Sequence, residues 1–197
     1  MDTLQGQPCL GHQLLILGDV NTGKTTLCRR LLAGLCAQGF GARCCVLDLA
    51  PHIPHALALQ KGLKGVGGAL FPPPGARVQD LRAHLDPPRL SSSSEEEAMR
   101  KAERNAETID TLLARLPGSG RDILFINDVT LYLQAGSVTH LLDRISAAAI
   151  GTLVVNGYWG ERLGGGALTQ REKNQTLQLR QHFERQGQAV ILTQRHA

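Results

Sequence analysis

The residues Gly18-Asp19-Val20-Asn21-Thr22-Gly23-Lys24-Thr25 fit the pattern G-x-x-x-x-G-K-[ST] and lie between an apolar run and an amphipathic one. A loop of this composition bends back so that successive backbone N–H groups converge on an anion, which is the chemistry of a phosphate cradle. The residue types assign the roles. The N–H groups of Asn21, Thr22, Gly23, Lys24 and Thr25 would hold β-phosphate oxygens, with Gly18 and Thr26 at the two ends of the same nucleotide-binding stretch. Lys24 would reach the β- and γ-phosphates and stabilise the transferring group, and Thr25 would offer its hydroxyl to Mg²⁺.

Elements on either side must position these groups. His12 to Leu17 reads as a strand and Lys24 to Gln38 as a helix, with Leu27, Leu31, Leu32 and Leu35 on one apolar face and Gly39 and Gly41 ending it. The positive end of that helix would point at the bound phosphates. Arg43 to Leu49, Asp122 to Asn127, Gly151 to Asn156 and Gln188 to Thr193 are short, mostly apolar runs of the kind buried in a parallel sheet. Ser94 with Glu97 makes a capping box for a long helix to Leu116, Ser137 to Ala149 reads as another helix, and Thr169 with Glu172 makes a second box for a helix to Gln186. Residues 50–90 are rich in Pro and Gly and allow at most a short helix at Val78 to His84. The alternation predicts an α/β fold in three layers, a mainly parallel sheet of about five strands flanked by helices. One domain spanning residues 1–197 is expected, with an insert and long helix at 51–116.

Composition excludes several function classes. The net charge is +4, aromatics are few and Arg29-Arg30 is the one adjacent basic pair, so nucleic acid is not indicated as a partner. No run approaches the roughly 18 apolar residues of a membrane span, and the first residues lack the pattern of a signal peptide. The chain reads as cytoplasmic. Five cysteines, with no C-x-x-C spacing, read as reduced thiols that pack as small hydrophobes.

At Gly18 to Thr25 the chain resembles the P-loop NTPase superfamily, and its strand and helix alternation extends the likeness over most of its length. The resemblance implies a nucleoside triphosphate, ATP or GTP, with Mg²⁺ as cofactor. It also implies an acid at the end of a core strand, the Walker B position. Asp128, after ILFIN, and Asp48, after CCVL, both compete for it. Asp128 is the favoured metal partner of Thr25, and Asp48 then resembles the second-strand acid of dimeric ATPases and GTPases that positions the metal or the attacking water. Glu161 is a distant second for that orienting role. A homodimer or protein partner that completes the site is implied by the same switch-type members. The strands around Asp128 and Asn156 also weakly resemble those of adenosylcobinamide kinase, a RecA-like enzyme, and Asn156 stands where that group often senses the γ-phosphate; an Asx turn is the alternative. In RecA-like members another strand separates the Asp128 strand from the first, whereas in kinases and GTPases the two are neighbours.

The guanine-reading N-K-x-D motif is absent, so ATP is favoured over GTP. Three activities remain open: a hydrolase coupled to a conformational or partner-binding switch, a small-molecule kinase, and a nucleotide-binding regulator of low turnover. In the kinase reading the loop Gly157 to Gly166 contributes to the acceptor pocket and Tyr158 and Trp159 stack on the substrate; packing against a hydrophobic edge is the plainer role for that pair, and an Arg-rich lid is not evident, though Arg162 and Arg171 flank a loop that could close over a substrate. His52 and His55 near Asp48 make a loose D-x-x-x-H-x-x-H cluster that more often is solvated than metal-bound. Arg195 and His196 lie where such folds contact the base, at an end of the chain that is prone to fray.

Overall fold

A computed structural model of the chain describes residues 9–53, 68–162 and 165–194. Its centre is a six-stranded, all-parallel sheet in the order β3-β2-β4-β5-β1-β6, formed by β1 (Gln13–Gly18), β2 (Cys44–Asp48), β3 (Gln79–Arg82), β4 (Ile123–Asn127), β5 (Thr152–Tyr158) and β6 (Ala189–Thr193). The helices are α1 (Lys24–Ala37), α2 (Pro88–Ser91), α3 (Glu95–Leu113), α4 (Thr130–Leu133), α5 (Val138–Ala147) and α6 (Ala167–Arg185). The expected α/β class forms, a parallel sheet flanked by helices, with six strands where about five were expected. Strand β5 lies between β1 and β4.

The period-two alternation of each strand divides the core into two. Leu14, Ile16, Cys44, Val46, Ile123, Phe125 and Val154 face α1, whose Cys28, Leu32 and Leu35 are buried against them. Leu15, Leu17, Cys45, Leu47, Leu124, Ile126, Leu153 and Val155 face the opposite way, onto residues of α3, α4, α5 and α6. Each fully buried aliphatic side chain contributes about 2 kcal/mol of transfer free energy, so the sheet is held firmly from both sides. The five cysteines are all free thiols, and Cys28, Cys44 and Cys45 are buried. Burial pushes the Cys28 thiol up to about 11, which keeps it protonated.

Three local expectations are corrected. The stretch read as a short helix at Val78 to His84 is instead the edge strand β3, because pairing of Gln79 with Cys45 through Arg82 with Asp48 satisfies its backbone groups along β2. The second capping box does not form: α6 starts three residues earlier, with Gly166 in place of Thr169 as its N-cap, the Thr169 hydroxyl donates to the Gly165 carbonyl, and Glu172 is buried. Two short helices, α2 and α4, form where no element was expected. The first box is half made: Ser94 Oγ accepts from the Glu97 N–H at 3.2 Å, while the Glu97 carboxylate turns to the N–H and hydroxyl of Ser93.

Candidate functional site

The loop from Gly18 to Thr25 leaves the C-terminal end of β1, one strand in from the β6 edge, and enters α1. Asn21 and Gly23 have left-handed backbones, at φ 58° and 84°. Asn tolerates that region and Gly adopts it without strain, so these two positions make the bend. Gly18 serves differently: a Cβ there would lie 2.6 Å from the Thr193 carbonyl and 2.8 Å from Thr22 Oγ1. Close packing on β6 therefore fixes the base of the loop. Thr22 Oγ1 donates to the Asp19 carbonyl at 2.8 Å and lies 2.7 Å from Thr193 Oγ1.

Helix α1 begins from Gly23 with no side-chain cap, so its first N–H groups are directed toward the cavity that Val20 to Thr26 line. That cavity measures about 460 Å³. Lys24 Nζ donates to the Asp19 carbonyl at 2.6 Å, and burial lowers its pKa against the raising influence of Asp128 and Asp19.

Asp48 and Asn127 end adjacent strands and Asn156 stands two residues before the end of the next, and all three follow the parity of the α1 face. Asp48 and Asn127 are register partners, and Asn156 is the partner of Ile16. Thr25 Oγ1 donates to Asn127 Oδ1 at 3.2 Å. Asn127 Nδ2 donates to Asp48 Oδ1 at 2.7 Å and to the Gly68 carbonyl at 3.0 Å, both of which can only accept from it. The amide orientation is fixed by that chemistry: the nitrogen faces Asp48 and the oxygen faces Thr25. Asn156 Nδ2 donates to the same Asn127 oxygen at 2.7 Å and to Cys28 Sγ, and Asn156 Oδ1 accepts from the Asp128 N–H at 3.0 Å. Asn156 is thus a strut within the network.

Sequence reasoning placed Asp128 opposite Thr25. In the structure Asn127 holds that place, and Asp128, one residue on, lies past the end of β4 with φ 60° and accepts from Thr130 Oγ1 at 2.9 Å. A one-residue step changes the face of a strand, which is why the two acids are not equivalent. Asp128 lines the cavity with Lys24 and Thr25, and burial raises its pKa, opposed by Thr130 and Lys24. Asp48 is 4% exposed and sits behind Asn127, ion-paired to Arg82 at 3.3 Å. Burial raises its pKa, and Asn127 and Arg82 oppose that.

The far end of the cavity holds residues that sequence reasoning missed. Asn105 on α3 bonds both backbone groups of Asp86, at 3.0 and 2.9 Å, and so fixes the Pro87-Pro88 segment that carries Arg89. Arg89 pairs with buried Glu172 at 2.9 Å and lies 5.5 Å over the Tyr158 ring. Gln134 Nε2 donates to Glu172 at 2.7 Å. Burial pushes the Glu172 carboxyl up to about 7, with Arg89 and Gln134 acting the other way. The sequence signal available was modest: a Gln just past α4, and a Glu on the face of α6 that also carries Leu168, Thr176, Leu179 and Phe183.

The remaining candidates are dispersed. Glu161 is exposed and bonded to Lys173 at 2.8 Å. Arg162 reaches Asp19 of the loop at 3.5 Å, and Arg171 donates to the Ala135 carbonyl. Tyr158 is buried, and Trp159 packs on the core while its N–H donates to the Gly18 carbonyl. His52 stacks on His84 with centroids 5.0 Å apart. His55, Gly62, Gly65, Gly67, Arg195 and His196 lie outside the described residues. Among the described residues no cluster of three or more His, Cys, Asp or Glu suits a metal ion, and no helix is long and apolar enough to cross a membrane.

The oxygens at the cradle suit Mg²⁺ in the manner of a nucleotide site, where one or two protein oxygens suffice and phosphates and water supply the rest. Thr25 Oγ1 and Asn127 Oδ1 would be those oxygens here, with carboxyl groups at Asp48 behind them and at Asp128 on the cavity wall.

No protein-family model matches the chain, and no curated protein sequence does. Among solved structures it is similar to the flagellar accessory protein FlaH from Methanocaldococcus jannaschii, with 11% identity over 84% of this chain and 68% of that one and a TM-score of 0.40.

Proposed function

We propose that the protein binds a nucleoside triphosphate, ATP in preference to GTP, together with Mg²⁺ and catalyses attack on the γ-phosphate. The observation that carries this reading is the uncapped start of α1, wrapped by the Gly18 to Thr25 loop, opening on a cavity that also holds Lys24 and Asp128. The loop and helix N–H groups bind phosphate oxygens, and Lys24, drawn off the Asp19 carbonyl, neutralises charge on the transferring group. Mg²⁺, when bound, supplies the charge neutralisation that the phosphates require. Thr25 and Asn127 would supply protein oxygens to it, and Asp48 would act through Asn127 by orienting the amide. Asp128 orients the attacking oxygen and takes its proton, a role its burial-raised pKa favours. The intervening strand β5 supports a RecA-like arrangement over that of the kinases and GTPases.

A neutral amide where the resemblance implies an acid favours a second reading, a nucleotide-dependent switch with little turnover and a protein partner. Phosphate release separates the two. Steady Mg²⁺-dependent release from ATP, lowered about a hundredfold or more in Asp128→Asn, supports the enzyme. Tight binding with release no faster than in the Asp128→Asn variant supports the switch. No binding of either nucleotide sinks both.

A further inference from the structure

The cavity extends well past the cradle, and its far wall is built for something other than phosphate. Two polar atoms there have no hydrogen-bond partner although both are buried: Arg89 Nη1 and Gln134 Oε1. Gln134 is 2% exposed, and the Arg89 side chain is 11% exposed. Buried polar atoms are satisfied in nearly all native sites, so two unpaired atoms on residues that line one cavity mark a place for a ligand. One of the two atoms only donates and the other only accepts, which matches a group that does both, a hydroxyl. Apolar surface from Pro88, Leu131 and Tyr158 completes the wall, as suits the carbon face of a small polyhydroxylated molecule. Asp128 lines the same cavity and feels the charges of both Lys24 and Arg89.

We propose that this wall is an acceptor subsite, in which Arg89 and Gln134 hold a small hydroxylated molecule, a sugar, polyol or nucleoside, so that one hydroxyl meets Asp128 and receives the γ-phosphoryl group. The inference rests on the nucleotide-binding reading above. The acceptor oxygen forms a bond to the γ-phosphorus while its proton passes to the Asp128 carboxylate. The bond from that phosphorus to the bridging oxygen breaks, and its electron pair leaves on the nucleoside diphosphate. The products are a phosphomonoester and the diphosphate, and Asp128 later releases its proton to solvent. The acceptor takes the position that an attacking water would otherwise hold, and this suppresses hydrolysis. Glu172 holds the Arg89 fork in place and is a positioning residue.

The test uses the full chain with Mg²⁺ and γ-labelled ATP or GTP, in the presence of glycerol, ribose, glucose, adenosine, cytidine or serine. Label should appear in an organic phosphate with at least one of them. Gln134→Leu should then raise KM for that acceptor about tenfold or more, while KM for the nucleotide changes by less than about threefold. Arg89→Lys, which keeps the charge beside Glu172 but loses the fork, should give the same split. Nucleotide binding with label released only as inorganic phosphate, whichever acceptor is present, would overturn the subsite and leave the nucleotide reading standing. Equal KM effects on nucleotide and acceptor in both variants would also overturn it. Failure to bind either nucleotide in equilibrium dialysis would instead remove the reading on which it rests.

Discussion

Replacing Asn127 by Asp tests the wiring of the site with a change of almost no volume. It puts a carboxylate where an amide nitrogen now donates to Asp48 at 2.7 Å and to the Gly68 carbonyl at 3.0 Å. Two ionised carboxylates at that separation repel by about 6 kcal/mol at an effective dielectric constant of about 20. The folded chain has a cheaper escape, since one carboxyl can hold a proton. From an ordinary pKa near 4, that costs about 1.4 kcal/mol per pH unit, hence about 4 kcal/mol at pH 7 and about 1.4 at pH 5. The smaller figure governs, so Asn127→Asp should lose about 4 kcal/mol at pH 7 and much less at pH 5. The sign follows from linkage: the folded variant binds a proton that the unfolded chain has released, so its stability falls as pH rises. Urea unfolding at the two pH values reads the difference directly. The double variant Asn127→Asp with Asp48→Asn exchanges amide and acid and should recover most of the loss, because Asn at 48 can donate to the new carboxylate. Equal loss at both pH values, or no recovery in the double variant, would refute the amide bridge between Thr25 and Asp48.

Three further outcomes follow from the same geometry. Gly18→Ala forces a Cβ against the Thr193 carbonyl and Thr22, so about 1–3 kcal/mol of stability should be lost and nucleotide affinity should fall with it; a variant with unchanged thermal midpoint and affinity would show that the loop base is slack. Glu172→Gln removes a carboxyl whose pKa is pushed up to about 7 from an ordinary 4.5. The stability from that tightly held proton is complete below about 4.5 and lost as pH rises through about 7, so the parent should lose up to about 3 kcal/mol relative to the variant between pH 5 and pH 8 in urea unfolding, and parallel pH curves would count against it. Ser94→Ala removes the side-chain acceptor for the Glu97 N–H and should cost about 1 kcal/mol, read as a lower urea midpoint; a neutral result would mean that the Ser93–Glu97 bonds alone cap α3.

The bend from Gly18 to Thr25, its strand and its helix were legible because their glycines and apolar spacing fix them locally. The buried strands were legible because CCVLD, ILFIN and TLVVN are too apolar to lie anywhere but inside a sheet. Strand β3 was not legible, since QDLR carries no apolar alternation and is a strand only through its pairing with β2. That Asn127 and not Asp128 lies beside Thr25 was nearly legible. Asp48 closes four apolar residues, whereas Asp128 stands one position beyond the Asn that closes four, and that offset sets parity: the side chain level with Asp48 is Asn127. Arg89, Gln134 and Glu172 meet only when the segment before α3, the end of α4 and the buried face of α6 come together, so no sequence spacing announces them.

Calorimetric titration of Mg-ATP and Mg-GTP into the full chain and into Lys24→Ala tests the central claim most directly. Saturable binding of ATP to the parent, weakened about tenfold or more in the variant, a loss of about 1.4 kcal/mol, is the predicted result. The same affinity in both proteins, or no heat of binding to the parent with either nucleotide, would contradict it.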